Sequence, residues 1–171
     1  MLKKATKGFT LIELLVVIAI IGILASVVLA SLQTAREKSR DTKRIADINQ
    51  IKLALELYND SNGNYPDGGY AAMAAELVAD GYLPAVPNDP VSGRTYFYAP
   101  DDANDNLDYH LAGLLEGLTG SEGVLGSDTD CDSSVAGCFA AAATGGFEGQ
   151  STDCATTDAD DTTDRCYDVT P

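Results

Sequence analysis

The feature that most constrains this chain is a run of nineteen uncharged residues near its N-terminus, from Leu14 to Leu32. At about 1.5 Å per residue, a helix of this length nearly spans the hydrocarbon core of a bilayer. Lys3, Lys4 and Lys7 precede the run, and positive flanking residues stay on the cytoplasmic side of a membrane. The pattern therefore predicts a single-pass membrane helix with all later residues outside the cytoplasm. The run is longer than the apolar region of a cleaved secretory signal, and no small-x-small cleavage site follows it.

One carboxylate, Glu13, lies at the start of this apolar segment. A charged side chain in lipid costs at least about 2–3 kcal/mol unless it is paired or neutralised, so Glu13 is a candidate functional residue. The alternative is that its side chain only reaches back to the lipid headgroups.

The residues around Glu13 resemble the processing signal of the type IV pilin superfamily. Three lysines, the sequence Gly8-Phe9-Thr10-Leu11-Ile12-Glu13 and the long apolar run occur in the order typical of that signal. The resemblance implies that a prepilin peptidase cleaves after Gly8 and that the new N-terminus at Phe9 is methylated. It also implies that Glu13 pairs with the terminal amine of an adjoining subunit, which would fix the register between subunits of a filament.

The apolar helix lacks the proline that many members of this superfamily have. Gly22 and Ser26 are then the residues where we expect a bend or a locally melted stretch. The alternative is that Gly22 only permits close packing against another helix.

The pattern changes after Leu32 without a helix breaker. Apolar side chains recur every three or four residues and predict one buried helix face, at Ile45, Ile48, Ile51, Leu55 and Tyr58. The charged residues from Arg36 to Arg44 indicate a solvated face, with contacts to acidic patches of neighbouring subunits as the alternative. Gly63 and Pro66 end the helix.

We therefore expect four segments: a leader (1–8), a membrane and polymerisation helix (9–32), its amphipathic continuation (33–62) and an extracytoplasmic head (63–171).

The head is predicted to be of the α+β class. A short helix is expected from Tyr70 to Asp80, and strands are expected at 94–99, 107–111 and 166–169. These elements would give a small antiparallel sheet packed on the amphipathic face of the long helix, followed by a loop-rich tail. The order of Leu57-Tyr58, Gly63-Asn64-Tyr65-Pro66, Gly81-Tyr82-Leu83-Pro84 and Asn88-Asp89-Pro90 resembles the major pseudopilins of type II secretion and related short pilins.

Four cysteines lie in the last third of the chain, at positions Cys131, Cys138, Cys154 and Cys166. An extracytoplasmic location favours disulfides over free thiols. A zinc site is the competing interpretation, but the close Cys-x-x-Cys pairs of structural zinc sites are missing. Four cysteines allow three pairings, and the short loops of the sequential pairing favour it only slightly.

The net charge of −15 is unevenly distributed, because 22 of the 26 acidic residues and only two of the eleven basic residues follow Lys52. Such an acidic head argues against a direct nucleic-acid site. The resemblance to major pseudopilins implies a calcium site in the C-terminal part of the head, with acidic solvated loops as the alternative. The candidate ligands are Asp101, Asp102, Asp105, Asp128, Asp130 and Asp132.

No catalytic constellation is recognisable in the sequence, and we do not expect an enzyme. The one histidine, His110, lies in a predicted strand, where a structural role is more common than general-base catalysis. The resemblance implies a structural subunit of a type IV pilus or a type II secretion pseudopilus, assembled by an inner-membrane platform and its ATPase. A minor pilin that acts as an adhesive or priming module at a filament tip is the alternative.

Overall fold

The apolar run and the amphipathic segment form one helix, α1, which spans Leu11–Asn62 in the computed structural model of the protein. The structure describes residues 10–117 and 165–171. No proline interrupts α1, so its backbone hydrogen bonds continue through all 52 residues. The helix ends at Gly63, whose φ of 82° is left-handed and whose N–H donates to the carbonyl of Asn59 at 2.7 Å. The predicted long helix is confirmed.

The chain divides into two compact units, residues 1–37 and residues 38–171. In the first unit, the large apolar side chains of α1 from Leu11 to Leu29 are all exposed, with Leu11 at 82%. The second unit is the head, which comprises the rest of α1, a second helix and a sheet.

The head contains a three-stranded antiparallel sheet in the order β1-β2-β3. Its strands are β1 (Phe97–Pro100), β2 (Tyr109–Leu114) and β3 (Cys166–Val169). Leu111 of β2 is opposite both Tyr98 of β1 and Val169 of β3. The α+β class and the antiparallel sheet are confirmed, and β3 has the predicted bounds.

Two strands begin later along the chain than the sequence pattern predicts. The first starts at Phe97 instead of Arg94, and the second runs from Tyr109 to Leu114 instead of from Leu107 to Leu111. Leu107 cannot begin the strand because the chain turns directly before it, where Asp105 and Asn106 both have a φ of 54°.

The head core lies between α1, the second helix and one face of the sheet. This second helix, α2, spans Tyr70–Ala79 and buries Met73, Ala74 and Leu77. Four of the five apolar positions that predicted the inner face of α1 are fully or almost fully buried, namely Ile48, Ile51, Leu55 and Tyr58. The predicted amphipathic face is therefore the face that packs in the core.

Tyrosine hydroxyls connect this core to the surrounding loops and helices. The hydroxyl of Tyr58 donates to Glu76 at 2.6 Å, and the hydroxyl of Tyr96 donates to Asp47 at 2.7 Å. The hydroxyl of Tyr98 donates to the carbonyl of Pro66 at 2.8 Å. The hydrogen bond to Glu76 raises the pKa of Tyr58 to about 12. Burial raises the pKa of Tyr98 well above the usual value of a tyrosine. These tyrosines are therefore protonated donors at neutral pH.

Candidate assembly site

The carboxylate of Glu13 is held inside the first turn of α1 by Thr10. The backbone N–H and the hydroxyl of Thr10 donate to Oε2 of Glu13 at 2.9 and 2.7 Å, and the N–H of Glu13 donates to the Thr10 hydroxyl at 3.3 Å. This reciprocal pair is a capping box, which satisfies helix N–H groups that have no partner in the preceding turn. The role of Thr10 was not predicted from the sequence, although the Thr-x-x-Glu spacing is the signal for this motif.

The capping box leaves part of the carboxylate open to an external group. Both bonds from Thr10 go to Oε2, and no donor among residues 10–117 or 165–171 reaches Oε1. Glu13 is exposed and lines a shallow groove on the helix surface with Ile12, Val16 and Val17. A cationic group that is attached to an apolar segment could therefore lie on this surface and contact Oε1.

The predicted processing residues, Gly8 and Phe9, lie outside the part of the chain that the structure describes. In the described part, α1 is the one helix long and apolar enough to cross a membrane. An exposed apolar surface of this extent is unfavourable in water, so it requires either lipid or other protein chains as its cover.

Gly22 and Ser26 lie in a stretch where α1 is continuous. A Cβ atom added to Gly22 would contact nothing within 4 Å among the described residues, so none of them requires a glycine there. The hydroxyl of Ser26 donates to the carbonyl of Ile23 at 2.7 Å, and such bonds are associated with helix bending. Flexibility at these residues stays a prediction, as does close helix packing at Gly22.

The head is attached to its own part of α1 by a group of buried and half-buried charges, which we call the Arg44 cluster (Arg40, Asp41, Arg44, Asp89 and Glu116). The guanidinium of Arg44 is fully buried. Its nitrogens donate to Asp89 at 2.6 and 3.0 Å, to Asp41 at 2.8 Å and to Glu116 at 2.5 Å. Arg40 also donates to Glu116 through two nitrogens. The cluster connects α1 with the loop before β1 and with the chain just after β2.

The charges of this cluster stabilise one another. Burial alone would lower the pKa of Arg44, but its hydrogen bonds to Asp89 and Glu116 outweigh burial and raise it. The hydrogen bonds from Arg40 hold the pKa of Glu116 at about 2. The carboxylate of Asp41 also accepts the backbone N–H groups of Glu116 and Gly117 at 2.9 and 2.8 Å. Arg44 and Glu116 therefore remain charged at neutral pH.

The prediction that the charges from Arg36 to Arg44 form a solvated face is wrong for Arg44 and Asp41, which are buried. Their partners Asp89 and Glu116 lie more than 40 residues further along the chain. A local charge pattern cannot reveal such partners, although Asn88-Asp89-Pro90 was recognised as part of the family pattern.

The candidate calcium ligands in the described part do not converge on one point. Asp101 is buried and its Oδ1 has no hydrogen-bond partner in the part of the chain that the structure describes, whereas Asp102 and Asp105 are exposed. No group of three or more His, Cys, Asp or Glu side chains suited to a metal occurs among residues 10–117 and 165–171. Asp128, Asp130 and Asp132 lie outside those ranges. Calcium binding therefore stays a prediction, and the loop from Asp101 to Asp105 does not support it.

Some of the remaining candidate residues lie in the described part of the chain, and the others lie outside it. Cys166 begins β3 and its side chain is fully buried. Cys131, Cys138 and Cys154 lie outside the described residues, so the disulfides stay a prediction. His110 is buried in β2 with Nε2 at 2.7 Å from Oδ2 of Asp168, an arrangement that fits the structural role expected for it.

Comparisons with known proteins agree with these features. Residues 3–29 match the prokaryotic N-terminal methylation motif, and residues 31–133 match the family of type II secretion system protein G. The chain is 33% identical to the type II secretion system core protein G of Pectobacterium carotovorum over 132 residues, which cover 71% of this chain and 83% of the relative. It is 34% identical to the Vibrio cholerae protein of that name over 71% of this chain and 90% of the relative. The Pseudomonas aeruginosa protein is 33% identical over 77% of this chain and 96% of the relative. The match to the family extends over more than half of the sequence and includes the α1 segment of the head, α2, β1 and β2, so this chain belongs to the type II secretion system protein G family.

Proposed function

We infer that the chain is a structural subunit of a type II secretion pseudopilus, a filament in which many copies associate through their N-terminal helices. The observation that carries this proposal is the exposed apolar surface of α1, which lies on both sides of the capped carboxylate of Glu13. In a membrane, lipid covers this surface before assembly. In a filament, the helices of neighbouring copies cover it instead, so the same residues serve as an anchor and as a polymerisation surface.

Processing would prepare the chain for assembly. A prepilin peptidase would cleave after Gly8 and methylate Phe9, which removes the three leading lysines and creates a new ammonium group four residues before Glu13. An inner-membrane assembly platform and its ATPase would then move the helix from the membrane into the growing filament. In this topology the head lies outside the cytoplasm throughout, and the filament is periplasmic.

Glu13 would pair with the terminal ammonium of a neighbouring subunit. Thr10 already fixes the carboxylate in one rotamer, so little side-chain entropy is lost when the ion pair forms. Within a bundle of apolar helices the effective dielectric constant is low, which strengthens the attraction between the two charges and penalises a subunit placed in the wrong register.

A tip-located minor pilin with an adhesive or priming role is the second candidate. A subunit at the tip has no neighbour above it and can dispense with the carboxylate, whereas stacked subunits need it. The presence of Glu13 therefore favours the stacked role. The abundance of the chain in sheared filaments distinguishes the two, since a tip subunit is present in very few copies.

The substitution Glu13→Ala in the full chain tests this proposal. We expect processing and membrane insertion to be normal, but the amount of the chain in the sheared-filament fraction to fall by at least about tenfold, since a factor of ten corresponds to only about 1.4 kcal/mol and an unpaired buried charge costs more. Immunoblots of membrane and sheared fractions give the measurement.

The matched control is Glu37→Ala, which removes a carboxylate from a polar turn of the same helix, where it accepts a hydrogen bond from Gln33. This variant should assemble like the wild type. A normal filament yield for Glu13→Ala would show that the carboxylate has no role in assembly.

A further inference from the structure

We propose that Arg94 and Arg165 form a binding site for the phosphate of an anionic phospholipid headgroup at the surface of the head. The inference rests on the membrane-anchored state that the proposed function requires before assembly. Arg94 and Arg165 are the only two basic residues after Lys52, in a part of the sequence that contains 22 acidic residues. The fold places both beside Glu116. Nη1 of Arg94 donates to Oε1 of Glu116 at 3.2 Å, and Nη2 of Arg165 donates to the backbone carbonyl of Glu116 at 2.9 Å.

The charge of Glu116 does not account for these two arginines, because its carboxylate already has two other partners. Nε of Arg40 donates to both of its oxygens at 3.1 and 3.2 Å, and Nη2 of Arg44 donates to Oε1 at 2.5 Å. Asp41 and Asp89 supply the other two negative charges next to Arg44. Four arginines therefore meet three carboxylates here, so the described part of the chain has a local surplus of positive charge in an otherwise acidic head.

The fold supplies fewer acceptors than the two guanidinium groups have donors. The side chain of Arg94 is 38% exposed, and among residues 10–117 and 165–171 its guanidinium donates only to Glu116. Nε of Arg165 is buried and has no hydrogen-bond partner in the same ranges. A guanidinium has five N–H donors and binds phosphate oxygens well. An anion at this surface would supply acceptors that the protein does not provide.

A cleft beside Arg94 indicates the class of anion. The cleft has a volume of about 210 Å³, which is enough for a phosphate group, and Phe97 and Leu114 form its apolar side. Asp89 also lines the cleft, but its two oxygens accept hydrogen bonds from Arg44 at 3.0 and 2.6 Å. A cation next to apolar side chains suits an amphiphile. The cleft therefore favours a phospholipid over a hydrated free anion or an acidic peptide.

The position of the site along the chain also favours lipid. Arg40, which contacts the same carboxylate of Glu116, follows Leu32 at the end of the uncharged run by only eight residues. Eight residues of helix span about 12 Å, which is just beyond a headgroup layer of about 5–8 Å. The acidic residues elsewhere on the head repel an anionic membrane, whereas a surplus of positive charge is attracted to it. Binding would thus orient the head on the membrane before assembly.

Tryptophan quenching in lipid nanodiscs tests the proposal. The chain has no tryptophan, so Thr95→Trp places a unique reporter in the cleft, and Leu107→Trp places a control reporter at the other end of β2. The full chain is reconstituted with a nitroxide-headgroup lipid in phosphatidylcholine, with or without phosphatidylglycerol. We expect phosphatidylglycerol to increase the quenching at position 95 at least about twofold and to leave position 107 unchanged. Equal quenching at position 95 in both lipids would overturn the proposal.

Charge variants test whether the two arginines bind the headgroup. Arg94→Gln with Arg165→Gln should reduce the phosphatidylglycerol-dependent quenching at least about fivefold, because one basic residue near an anionic surface already contributes about that factor to association. Arg94→Lys with Arg165→Lys keeps both charges and should retain most of the quenching. Melting temperatures show whether each variant is folded, and Arg94→Gln alone replaces the double variant if that one is unstable. Undiminished quenching in a folded glutamine variant would contradict the assignment.

Competition experiments identify the occupant. Inorganic phosphate or a polyglutamate peptide is added, at fixed ionic strength, to discs that contain phosphatidylglycerol. Neither should reverse the quenching at millimolar concentration, because a headgroup in the same membrane has a higher effective concentration. Reversal by phosphate would indicate a free-anion site, reversal by the peptide would indicate an acidic protein partner, and either would exclude lipid as the occupant. The discs contain no filaments, so a failure here is distinct from a failure of the pseudopilus function, in which the chain would be missing from sheared filaments.

Discussion

At the scale of single residues, Arg44 carries a positive charge that the fold of the head buries completely. A buried guanidinium is tolerated only when carboxylates satisfy its charge and its donors, and here Asp41, Asp89 and Glu116 do so. Removing the cation would leave three carboxylates with less neutralisation, and the side chains of two of them, Asp41 and Asp89, are buried. The cluster therefore depends on Arg44 more than on any exposed partner.

We expect Arg44→Met to lower the free energy of unfolding of the head by about 3–5 kcal/mol, because the substitution leaves buried carboxylates uncompensated. Arg94→Met is the control, since Arg94 also contacts Glu116 but its side chain is 38% exposed, and it should cost at most about 1 kcal/mol. Denaturant unfolding in detergent, followed by tyrosine fluorescence, measures both, because all eight tyrosines lie after Lys52. Equal losses for the two variants would contradict the assigned role of Arg44.

Sequence patterns indicated Glu13 as a candidate but did not indicate Thr10 or the Arg44 cluster. Glu13 is conspicuous because its charge conflicts with an apolar surrounding, which is a local property. The partners of Arg44 come together only through the fold, since Glu116 is 72 residues away. Ion pairs between distant residues have no periodic signal, so only the structure could identify them.

At the scale of secondary structure elements, helices were easier to predict than strands. Apolar residues that recur with the helical period of 3.6 residues predicted the buried face of α1 almost completely, because one long helix repeats this pattern many times. The strands have only four to six residues, so their limits depend on turns and on packing.

Gly113 illustrates how packing decides the limits of a strand, because a glycine normally argues against a strand interior. It belongs to β2 because Ile48 and Tyr96 come so close that a Cβ atom would lie 2.9 and 3.0 Å from their side chains.

The close contact between β2 and α1 predicts a specific coupling. Gly113→Ala should destabilise the head by about 1–3 kcal/mol through overpacking. Ile48→Val removes the Cδ1 atom nearest to the added methyl group and should by itself cost about 0.5–1.5 kcal/mol. The double variant should then lose clearly less than the two single losses combined, as measured by denaturant unfolding. If the two losses of unfolding free energy were strictly additive, the Ile48 side chain would not be what restricts the size of the residue at position 113.

At the scale of the whole molecule, the chain separates a membrane-compatible helix from an acidic head. The sequence predicted both parts, because an uncharged run and a charge imbalance are properties of long segments that need no knowledge of contacts. It also predicted the α+β class through the order of its elements. The apolar helix requires a cover, and in the proposed pseudopilus copies of the same chain provide it.

The central claim is that the chain is the processed, repeating subunit of a pseudopilus. The most direct measurement is the intact mass of the protein in filaments sheared from cells that carry the chain and its secretion machinery. The account predicts that the main species is this chain beginning at N-methylated Phe9, with the first eight residues removed. A main species that retains Met1, or filaments built mainly from a different protein, would contradict it.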